Sequence, residues 1–338
     1  MFSAIANPLR ANARIMAKHA YSTSAGSSSG SSKLLTIGVP TVAAAAAAYY
    51  FFSPQSTATE SKGKKDAPAP PAAAAAAAVA AAKTALNPKD FVDFKLRKVE
   101  KLTHNTSRFI FDLEKDQKLG LDTASCVVTR FSGPDGKLII RPYTPTTDAD
   151  LTGEFDLVVK RYEGGPMSSH IHSLKPGDVL SIKGPISKYP MDRNKHEKIG
   201  MIAGGSGITP MFQVIQHLLK DKEDKTEISL IFANVTPDDI IMKEEIDALA
   251  KANPTRFKVT YLVDKAADGW KGPTGFVTKE LIKEHMPGHE QGNTKVMVCG
   301  PPGMMKAVCG VKGPNFTQGE VDGALKELGY DSEHVFKF

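Results

Sequence analysis

KIGMIAGGSGITPMFQVIQHLL, residues Lys198 to Leu219, is the stretch that decides the fold. An apolar strand leads into the glycine-rich turn Gly204–Gly207, and an apolar-periodic helix follows from near Pro210. At such a turn the backbone can approach a diphosphate closely, and the helix start adds N–H groups and a positive dipole end. GGSG is not the full GxGxxG fingerprint, so a turn needed only for tight packing is an equally good interpretation of this motif alone.

The chain on either side of this stretch has two different hydrophobic periods. Downstream, ISLIFANV, FKVTYLV and KVMVCGPP are predicted strands and DDIIMKEEIDALAKA a predicted helix, which together indicate a parallel sheet covered on both faces. Upstream, from Asn87, short runs of alternating apolar and polar residues predict a six-stranded antiparallel β-barrel. The helix MSSHIHSL interrupts the barrel. We therefore predict two domains, at 87–196 and 197–338.

The first 86 residues have a different composition. Residues 1–33 are rich in Arg, Ser and Ala and contain no acid, which is typical of a mitochondrial targeting presequence; a disordered tail is the alternative. Residues 34–52 contain no charge and are long enough to span a bilayer, so we predict a transmembrane anchor. Their polyalanine centre is only weakly hydrophobic, and a soluble Ala-rich helix is the alternative. Residues 53–86 are a predicted low-complexity linker.

Charge and cysteine content exclude some functions. The net charge is +6, but residues 1–59 hold four basic residues and no acid, and the remaining 39 basic and 37 acidic side chains nearly cancel. The basic balance is therefore a poor argument for nucleic-acid binding. The three cysteines include no CxxC pair, and no cluster has zinc-ligand spacing, so we predict free thiols and no metal site.

RPYTPTT, residues Arg141 to Thr147, is a second candidate binding stretch. Its prolines fix φ on both sides of Tyr143 and Thr144, which holds an aromatic ring and a hydroxyl next to a guanidinium. This arrangement suits a flat ring and a diphosphate. On the heptapeptide alone, a proline-bounded strand end is an equally good interpretation.

Two further stretches could contribute to a ligand site. GGPMSS, Gly164–Ser169, precedes a helix and could bind phosphate through backbone and hydroxyl donors, although Ser168 could equally be an ordinary N-cap. CGPP, Cys299–Pro302, follows an apolar strand, and the carboxyl ends of parallel strands are where ligands bind. No base for a nucleophile is visible, so Cys299 is interpreted as a wall of a cleft.

The order of these stretches is more specific than any one of them. RPYTP, GPMSSHIHSLKPGD, KGP, AGGSGITPM and CGPPGMM stand in the order and at the separations of the ferredoxin reductase-like flavoenzymes, which the chain resembles from about Phe91 to Phe338. Within that family it most resembles the NADH-dependent branch whose acceptor is cytochrome b5, and its N-terminus resembles the fungal mitochondrial form. The resemblance implies FAD and NADH as cofactors. The sequence contains no haem-ligand pair, so the one-electron acceptor is expected to be a separate haem protein, and we expect a monomer. It also implies the mitochondrial outer membrane, with a processed intermembrane-space form as a further expectation.

The resemblance also implies the site residues. Arg141 would pair with the FAD diphosphate, Tyr143 would lie against the isoalloxazine and Thr144 would lie near its N5, so that Tyr143, Thr144 and Cys299 are the candidate catalytic residues. The other expected FAD contacts are Pro142, Lys160, Tyr162, Gly165, Met167, Ser168 and the terminal Phe338. The expected NADH contacts are Gly204, Gly205, Ser206, Gly207, Thr209, Pro210, Asp239, Cys299, Gly300, Pro301, Pro302 and Met304.

Asp239 bears on the choice of nicotinamide. The loop NVTPDD offers no basic residue for a 2′-phosphate, and Asp239 would repel that phosphate while accepting a bond from a ribose hydroxyl, which favours NADH. A role of Asp238 and Asp239 in capping the following helix is equally compatible with the sequence.

The acceptor would be steered by charge. Lys183, Lys188, Lys195 and Lys198 flank the expected flavin edge and are candidates to attract an acidic haem protein; solvated loop lysines are the alternative. Pro166 replaces a lysine of animal relatives, so the partner-binding lysines of those relatives are not carried over to this chain. Two other functions stay open: an NADPH- or NADH-dependent reductase of ferredoxin or quinone, and a non-catalytic membrane-anchored binding module.

Overall fold

The computed structural model describes residues 83–338. The predicted presequence and anchor, and the predicted linker up to residue 82, lie outside the described residues. The last four linker residues already belong to the folded part, because the Ala85 N–H donates to the Lys118 carbonyl at 3.0 Å and Leu86 is buried in the barrel core. Between residues 83 and 338 no helix has the length and apolar character needed to cross a membrane.

Six strands form the predicted antiparallel barrel, in the order β4-β3-β6-β1-β2-β5. They are β1 Val92–Lys101, β2 Thr106–Asp112, β3 Ser125–Ser132, β4 Leu138–Tyr143, β5 Glu154–Lys160 and β6 Val179–Ser187. Successive residues of a strand point to opposite faces, so the alternating pattern delivers one apolar face to the interior. Phenylalanines fill it: the rings of Phe111 and Phe155 stack with centroids 5.2 Å apart, and Phe94 meets Phe155 edge-on at 5.1 Å.

Helix α1, Pro166–Ser173, fills the gap between the two edge strands of the barrel, because β4 and β5 do not pair with each other. The ring of His170 stacks on Phe131 with centroids 4.0 Å apart, and Nε2 of His172 lies 2.9 Å from the Val159 carbonyl oxygen. The two histidines are therefore packing residues of the barrel. The predicted helix is confirmed, and it starts close to the carboxyl end of β5.

The second sheet is parallel, with the order β11-β10-β7-β8-β9. Its strands are β7 Lys198–Gly204, β8 Glu227–Asn234, β9 Phe257–Val263, β10 Thr294–Cys299 and β11 Val335–Lys337. The helices that accompany it are α2 Ile208–Lys220, α3 Lys243–Ala252, α4 Lys279–His285, α5 Pro302–Val308 and α6 Gly323–Glu327. Strand neighbours in β7 serve opposite faces: Met201 packs with residues of α2 and α3, and Ile202 with residues of α4, α5 and α6.

The predicted helix DDIIMKEEIDALAKA is wrong in its first third. Pro237–Asp239 form a single 3-10 turn, Met242 adopts the left-handed conformation with φ 58°, and α3 begins only at Lys243. The reason is burial, since Ile240, Ile241 and Met242 are all in the core. Three consecutive residues of an α-helix spread over more than half its circumference and could not all face one core.

Candidate functional site

The stretch RPYTPTT begins in β4, an edge strand with β3 as its only backbone partner in the described sheet. Arg141 is exposed, and its Nη1 donates to the Ile140 carbonyl at 2.7 Å, which leaves most of its N–H groups facing outward. Tyr143 pairs with Val127 and is partly buried, and burial raises the pKa of Tyr143 to about 12. Its hydroxyl therefore stays protonated at neutral pH. Thr144 follows, partly buried, at the end of the strand.

Asp156 of β5 fixes the end of this stretch. Its Oδ1 accepts bonds from the Thr146 N–H at 3.1 Å, the Thr146 hydroxyl at 2.7 Å and the Thr147 hydroxyl at 2.9 Å. Its Oδ2 lies 3.1 Å from Nε of Arg108, whose Nη2 reaches Glu245 of α3 at 2.7 Å. One carboxylate thus holds the stretch in place and connects it to the parallel-sheet domain.

Gln213 of α2 connects the two domains a second time. Its side chain is buried, and Oε1 accepts the Ser125 N–H at 3.0 Å while Nε2 donates to the Pro145 carbonyl at 3.4 Å. The sequence analysis missed both Asp156 and Gln213. Neither lies in a glycine- or proline-rich motif, so no local signal in the sequence marks them.

The start of α1 lies beside β5. Gly165 is the N-cap residue, and no side chain caps the helix, so its first N–H groups are open to a ligand. The interpretation of Ser168 as the N-cap is wrong, because this residue lies inside the first turn. Its hydroxyl accepts the Tyr162 N–H at 3.2 Å and donates to the Gly165 carbonyl at 3.0 Å. The Met167 side chain is buried in the barrel core, so only its backbone can face a ligand at the helix start.

The GGSG turn is packed against the CGPP turn. Ala203 and Cys299 are register partners at the ends of β7 and β10, and a Cβ on Gly207 would lie 2.2 Å from the Cys299 carbonyl oxygen. Gly205 adopts φ +52° with open space around it, so backbone is accessible there. The Thr209 hydroxyl donates to the Ser206 carbonyl at 3.3 Å and closes the turn at the start of α2, where Pro210 is buried.

The CGPP turn is equally close-packed. A Cβ on Gly300 would lie 2.3 Å from Cε of Met304, and Pro301 and Pro302 form the N-cap and first residue of α5. Burial raises the pKa of the Cys299 thiol to about 12. The thiol is therefore neutral under physiological conditions, which agrees with its interpretation as a cleft wall and argues against a nucleophile.

Two contacts join the expected FAD residues to the expected NADH residues. The Tyr162 hydroxyl and the Ser206 hydroxyl lie 2.6 Å apart, and Lys160 Nζ lies 3.4 Å from Oδ1 of Asp239. Lys160 ends β5 and Tyr162 follows it, so both side chains reach from the barrel to the carboxyl edge of the parallel sheet. The two sets of residues, far apart in the chain, meet at the boundary between the barrel and the parallel sheet.

Asp239 takes part in a cap, but this is the cap of the 3-10 turn Pro237–Asp239 and not of helix α3, as the alternative in the sequence analysis proposed. It is buried, and its Oδ2 accepts the Thr236 N–H at 3.1 Å and the Thr236 hydroxyl at 2.7 Å. Burial opposes ionisation, but the Thr236 bonds and the Lys160 charge hold the pKa of Asp239 below its ordinary value. The carboxylate is thus engaged within the protein, and its contact with a ribose stays a prediction.

Phe338 and the steering lysines have distinct environments. The Phe338 N–H donates to the Val298 carbonyl at 3.0 Å, which places the chain end beside Cys299. Lys183 is only 8% exposed, with Nζ 5.1 Å from the centre of the Phe91 ring, so it is not presented to solvent as a steering charge should be. Lys195 donates to the Pro190 carbonyl at 2.8 Å and Lys198 to Gln291 at 3.2 Å, whereas Lys188 is exposed.

These residues fit the two expected cofactors. The outward-facing guanidinium of Arg141 and the uncapped start of α1 suit a diphosphate beside the ring platform of Tyr143. The glycine-rich turn Gly204–Gly207 suits a second diphosphate on the parallel-sheet side of the domain boundary. An antiparallel barrel and a parallel α/β sheet whose two diphosphate-type stretches meet at their boundary define a two-domain flavin- and nicotinamide-dependent oxidoreductase.

Comparisons with known proteins agree with this class. The family model described as oxidoreductase FAD-binding domain matches residues 93–190, and that described as oxidoreductase NAD-binding domain matches residues 201–310. NADH-cytochrome b5 reductase 2 of Yarrowia lipolytica is 50% identical over 260 residues, covering 76% of this chain and 89% of that protein. An NADH-cytochrome b5 reductase-like protein of Arabidopsis thaliana is 49% identical over 263 residues, covering 76% and 79%.

A solved structure shows the same similarity. The cytochrome b5 reductase domain of Ulva prolifera nitrate reductase superimposes with a TM-score of 0.66 at 35% identity, covering 75% of this chain and 98% of that domain. The chain belongs to the NADH-cytochrome b5 reductase family. It is an FAD-dependent oxidoreductase that uses NADH, as the sequence resemblance implied.

Proposed function

We propose that this chain oxidises NADH and passes the electrons singly to cytochrome b5 or a similar haem protein. Bound FAD would supply the conversion from two-electron to one-electron transfer. The overall reaction takes one NADH and two ferric haems to NAD⁺, two ferrous haems and one proton. The observation that carries the proposal is the 2.6 Å contact between Tyr162 and Ser206, because it joins an expected FAD residue of the barrel to the expected NADH-binding turn.

The protein groups in this reaction orient and shield rather than exchange protons. A hydride passes directly from donor to acceptor atom, so catalysis depends on how accurately two rings are stacked. Tyr143 and Thr144 would hold one ring, and Gly204–Gly207 with the start of α2 would hold the diphosphate of the other. Tyr143 and Cys299, each with a pKa raised to about 12 by burial, line the cleft as neutral groups.

The first experiment is a spectrum of the full-length chain. The proposal predicts a yellow protein whose flavin absorbance is bleached by NADH without oxygen and restored by oxidised cytochrome b5. A colourless preparation that binds no added FAD would refute it and favour a non-catalytic module. Bleaching by NADH followed by fast reduction of ferredoxin or quinone, with no reduction of cytochrome b5, would assign a different acceptor.

We also propose that residues 1–33 direct the chain to mitochondria and that residues 34–52 anchor it in the outer membrane as a monomer. The acid-free, Arg-containing start and the uncharged stretch that follows support this proposal. Carbonate extraction and protease protection of isolated mitochondria test it. The anchor would be refuted if the mitochondria contained a single, uncleaved form of the chain and carbonate released all of it.

A further inference from the structure

The loop between α5 and α6, residues 310–319, exposes two large apolar side chains. Phe316 is 74% exposed and Val311 is 58% exposed. Phe316 stands at the tip of a tight turn, and both it and Asn315 adopt left-handed backbone conformations, with φ 61° and 55°. Left-handed backbone is costly for residues with a Cβ, and an exposed Phe adds no core packing in return. Folding alone therefore gives no reason for this Phe.

The loop is held firmly in this shape. Within the turn, the Gly313 N–H donates to the Thr317 carbonyl at 3.0 Å. At its base Lys337, only 1% exposed, donates from Nζ to the carbonyls of Val311 at 3.1 Å and Glu320 at 2.7 Å. A buried ammonium held by backbone carbonyls fixes both ends of the loop against β11. The exposure of Phe316 is thus built into the fold.

The loop lies at the border of the proposed flavin platform. Lys337 directly precedes Phe338, whose N–H binds the Val298 carbonyl beside Cys299. Lys312 directly follows Val311, whose carbonyl accepts from Nζ of Lys337. On the barrel side, the backbone N–H of Lys188 donates to the Ala124 carbonyl at 3.0 Å, two residues before Cys126. Cys126 in turn precedes Val127, the register partner of Tyr143.

The charged side chains within the loop are basic, and the acids Glu320 and Asp322 follow it directly. Residues 303–319 include Lys306 and Lys312 and no Asp or Glu. Lys188 is exposed, and its charge, after burial, contributes to the lowered pKa of Lys312. In the part of the chain that the structure describes, no carboxylate forms an ion pair with Lys188 or Lys312. Carboxylates of a partner would relieve the repulsion between these two lysines.

We propose that residues 310–319, together with Lys188, form the docking surface for the haem-protein acceptor, an acidic protein with an exposed haem edge. Val311 and Phe316 supply the apolar contact, and Lys188 and Lys312 supply the charge that orients it. The inference rests on the proposed function and specifies where the electrons leave. An anionic membrane also attracts aromatic and lysine side chains, but the position beside the ring platform favours the acceptor.

The test of the apolar contact is Phe316→Ala in the full-length chain, purified with FAD in detergent. The probe is the soluble haem domain of a cytochrome b5. Because the variant loses an aromatic interface contact, the KM for the haem domain should rise about tenfold. The anaerobic rate of flavin bleaching by NADH should stay unchanged. Leu138→Ala is the matched control, because Leu138 is 57% exposed at the far end of β4 and should leave both measurements unchanged.

The test of the charge is Lys312→Glu, with Lys312→Gln as the milder variant. The second-order rate with the haem domain should fall about tenfold at low salt and converge on that of the wild type at about 0.5 M salt, because screening removes steering. The control is Lys251→Glu, an exposed lysine of α3. Flavin content measured in every variant separates a folding defect from a docking defect.

The outcomes separate the inference from the function beneath it. A wild-type chain that is not bleached by NADH, or that does not reduce cytochrome b5, refutes the proposed function. An active wild type whose Phe316 and Lys312 variants retain its kinetics with the haem domain refutes the docking surface alone. A defect that appears only on phosphatidylserine vesicles, and not in detergent, assigns the loop to the membrane instead.

Discussion

Replacing Asp156 should destabilise the protein and loosen its hold on FAD at the same time. In Asp156→Ala, three hydrogen bonds to Thr146 and Thr147 are lost. Arg108 then keeps only Glu100 and Glu245 as acidic partners. Bonds to a charged acceptor contribute about 1.5–3 kcal/mol each but are not additive. Because the Asp156 side chain is 15% exposed and water can replace part of them, we expect a loss of about 3–4 kcal/mol in the free energy of unfolding.

The assay is urea unfolding followed by far-UV circular dichroism, with flavin absorbance recorded in the same samples. Asp156→Asn retains an acceptor for the threonines but places an amide next to Arg108, so its free energy of unfolding should be about 1–2 kcal/mol lower than that of the wild type. The control Asp116→Ala removes an exposed barrel carboxylate and should change stability by less than about 0.5 kcal/mol.

FAD should be released from Asp156→Ala at a lower urea concentration than that which unfolds the barrel, because Thr146 and Thr147 hold the end of the proposed ring platform. If Asp156→Ala unfolded together with the wild type and kept its FAD to the same urea concentration, the assignment of Asp156 as the residue that fixes RPYTPTT would be wrong.

Three further predictions concern the cleft. Gly207→Ala should abolish NADH-dependent bleaching, because its Cβ would lie 2.2 Å from the Cys299 carbonyl oxygen; normal bleaching would contradict this packing. Cys299→Ser should give a pH–rate profile parallel to that of the wild type between about pH 6 and 9, since a thiol with its pKa raised to about 12 does not ionise there, and a lost inflection would show a catalytic thiolate. Asp239→Ala should lower the free energy of unfolding at neutral pH. The loss of stability below about pH 4 should also become smaller than in the wild type, because a carboxylate with a lowered pKa stabilises the fold above its ordinary pKa and loses that effect as the pH falls. The same variant should raise the rate with NADPH relative to NADH if the carboxylate also meets the ribose, and an unchanged ratio would leave the cap as its only role.

The sequence predicted the two domains of this protein because the periodicity of hydrophobic residues is a local property of the chain. The alternation in β1–β6 and the strand–turn–helix pattern from Lys198 both follow from which face of each element is buried. The same reasoning failed at Ile240–Met242, where three apolar residues in a row were read as part of a helix. Tertiary packing buries all three of them, and the spacing of apolar residues along the sequence does not show this.

The site was predicted in part for the same reason. Glycine and proline motifs mark Gly204–Gly207, Cys299–Pro302 and Arg141–Thr147 because unusual backbone needs unusual residues. The residues that hold these motifs together carry no such mark. Asp156 and Gln213 are an ordinary strand aspartate and an ordinary helix glutamine until the fold places them against Thr146 and Pro145.

Sequence alone thus determined the fold class, the likeness to a flavoenzyme family and the stretches that meet cofactors, since each depends on local backbone chemistry. Only the tertiary structure decided how these stretches meet. It brought Tyr162 to Ser206 across 44 residues, used Asp239 as a cap, buried Lys183 and left Phe316 in solvent. Distance in space, burial and shared partners are properties of the folded chain as a whole, and no single segment contains them.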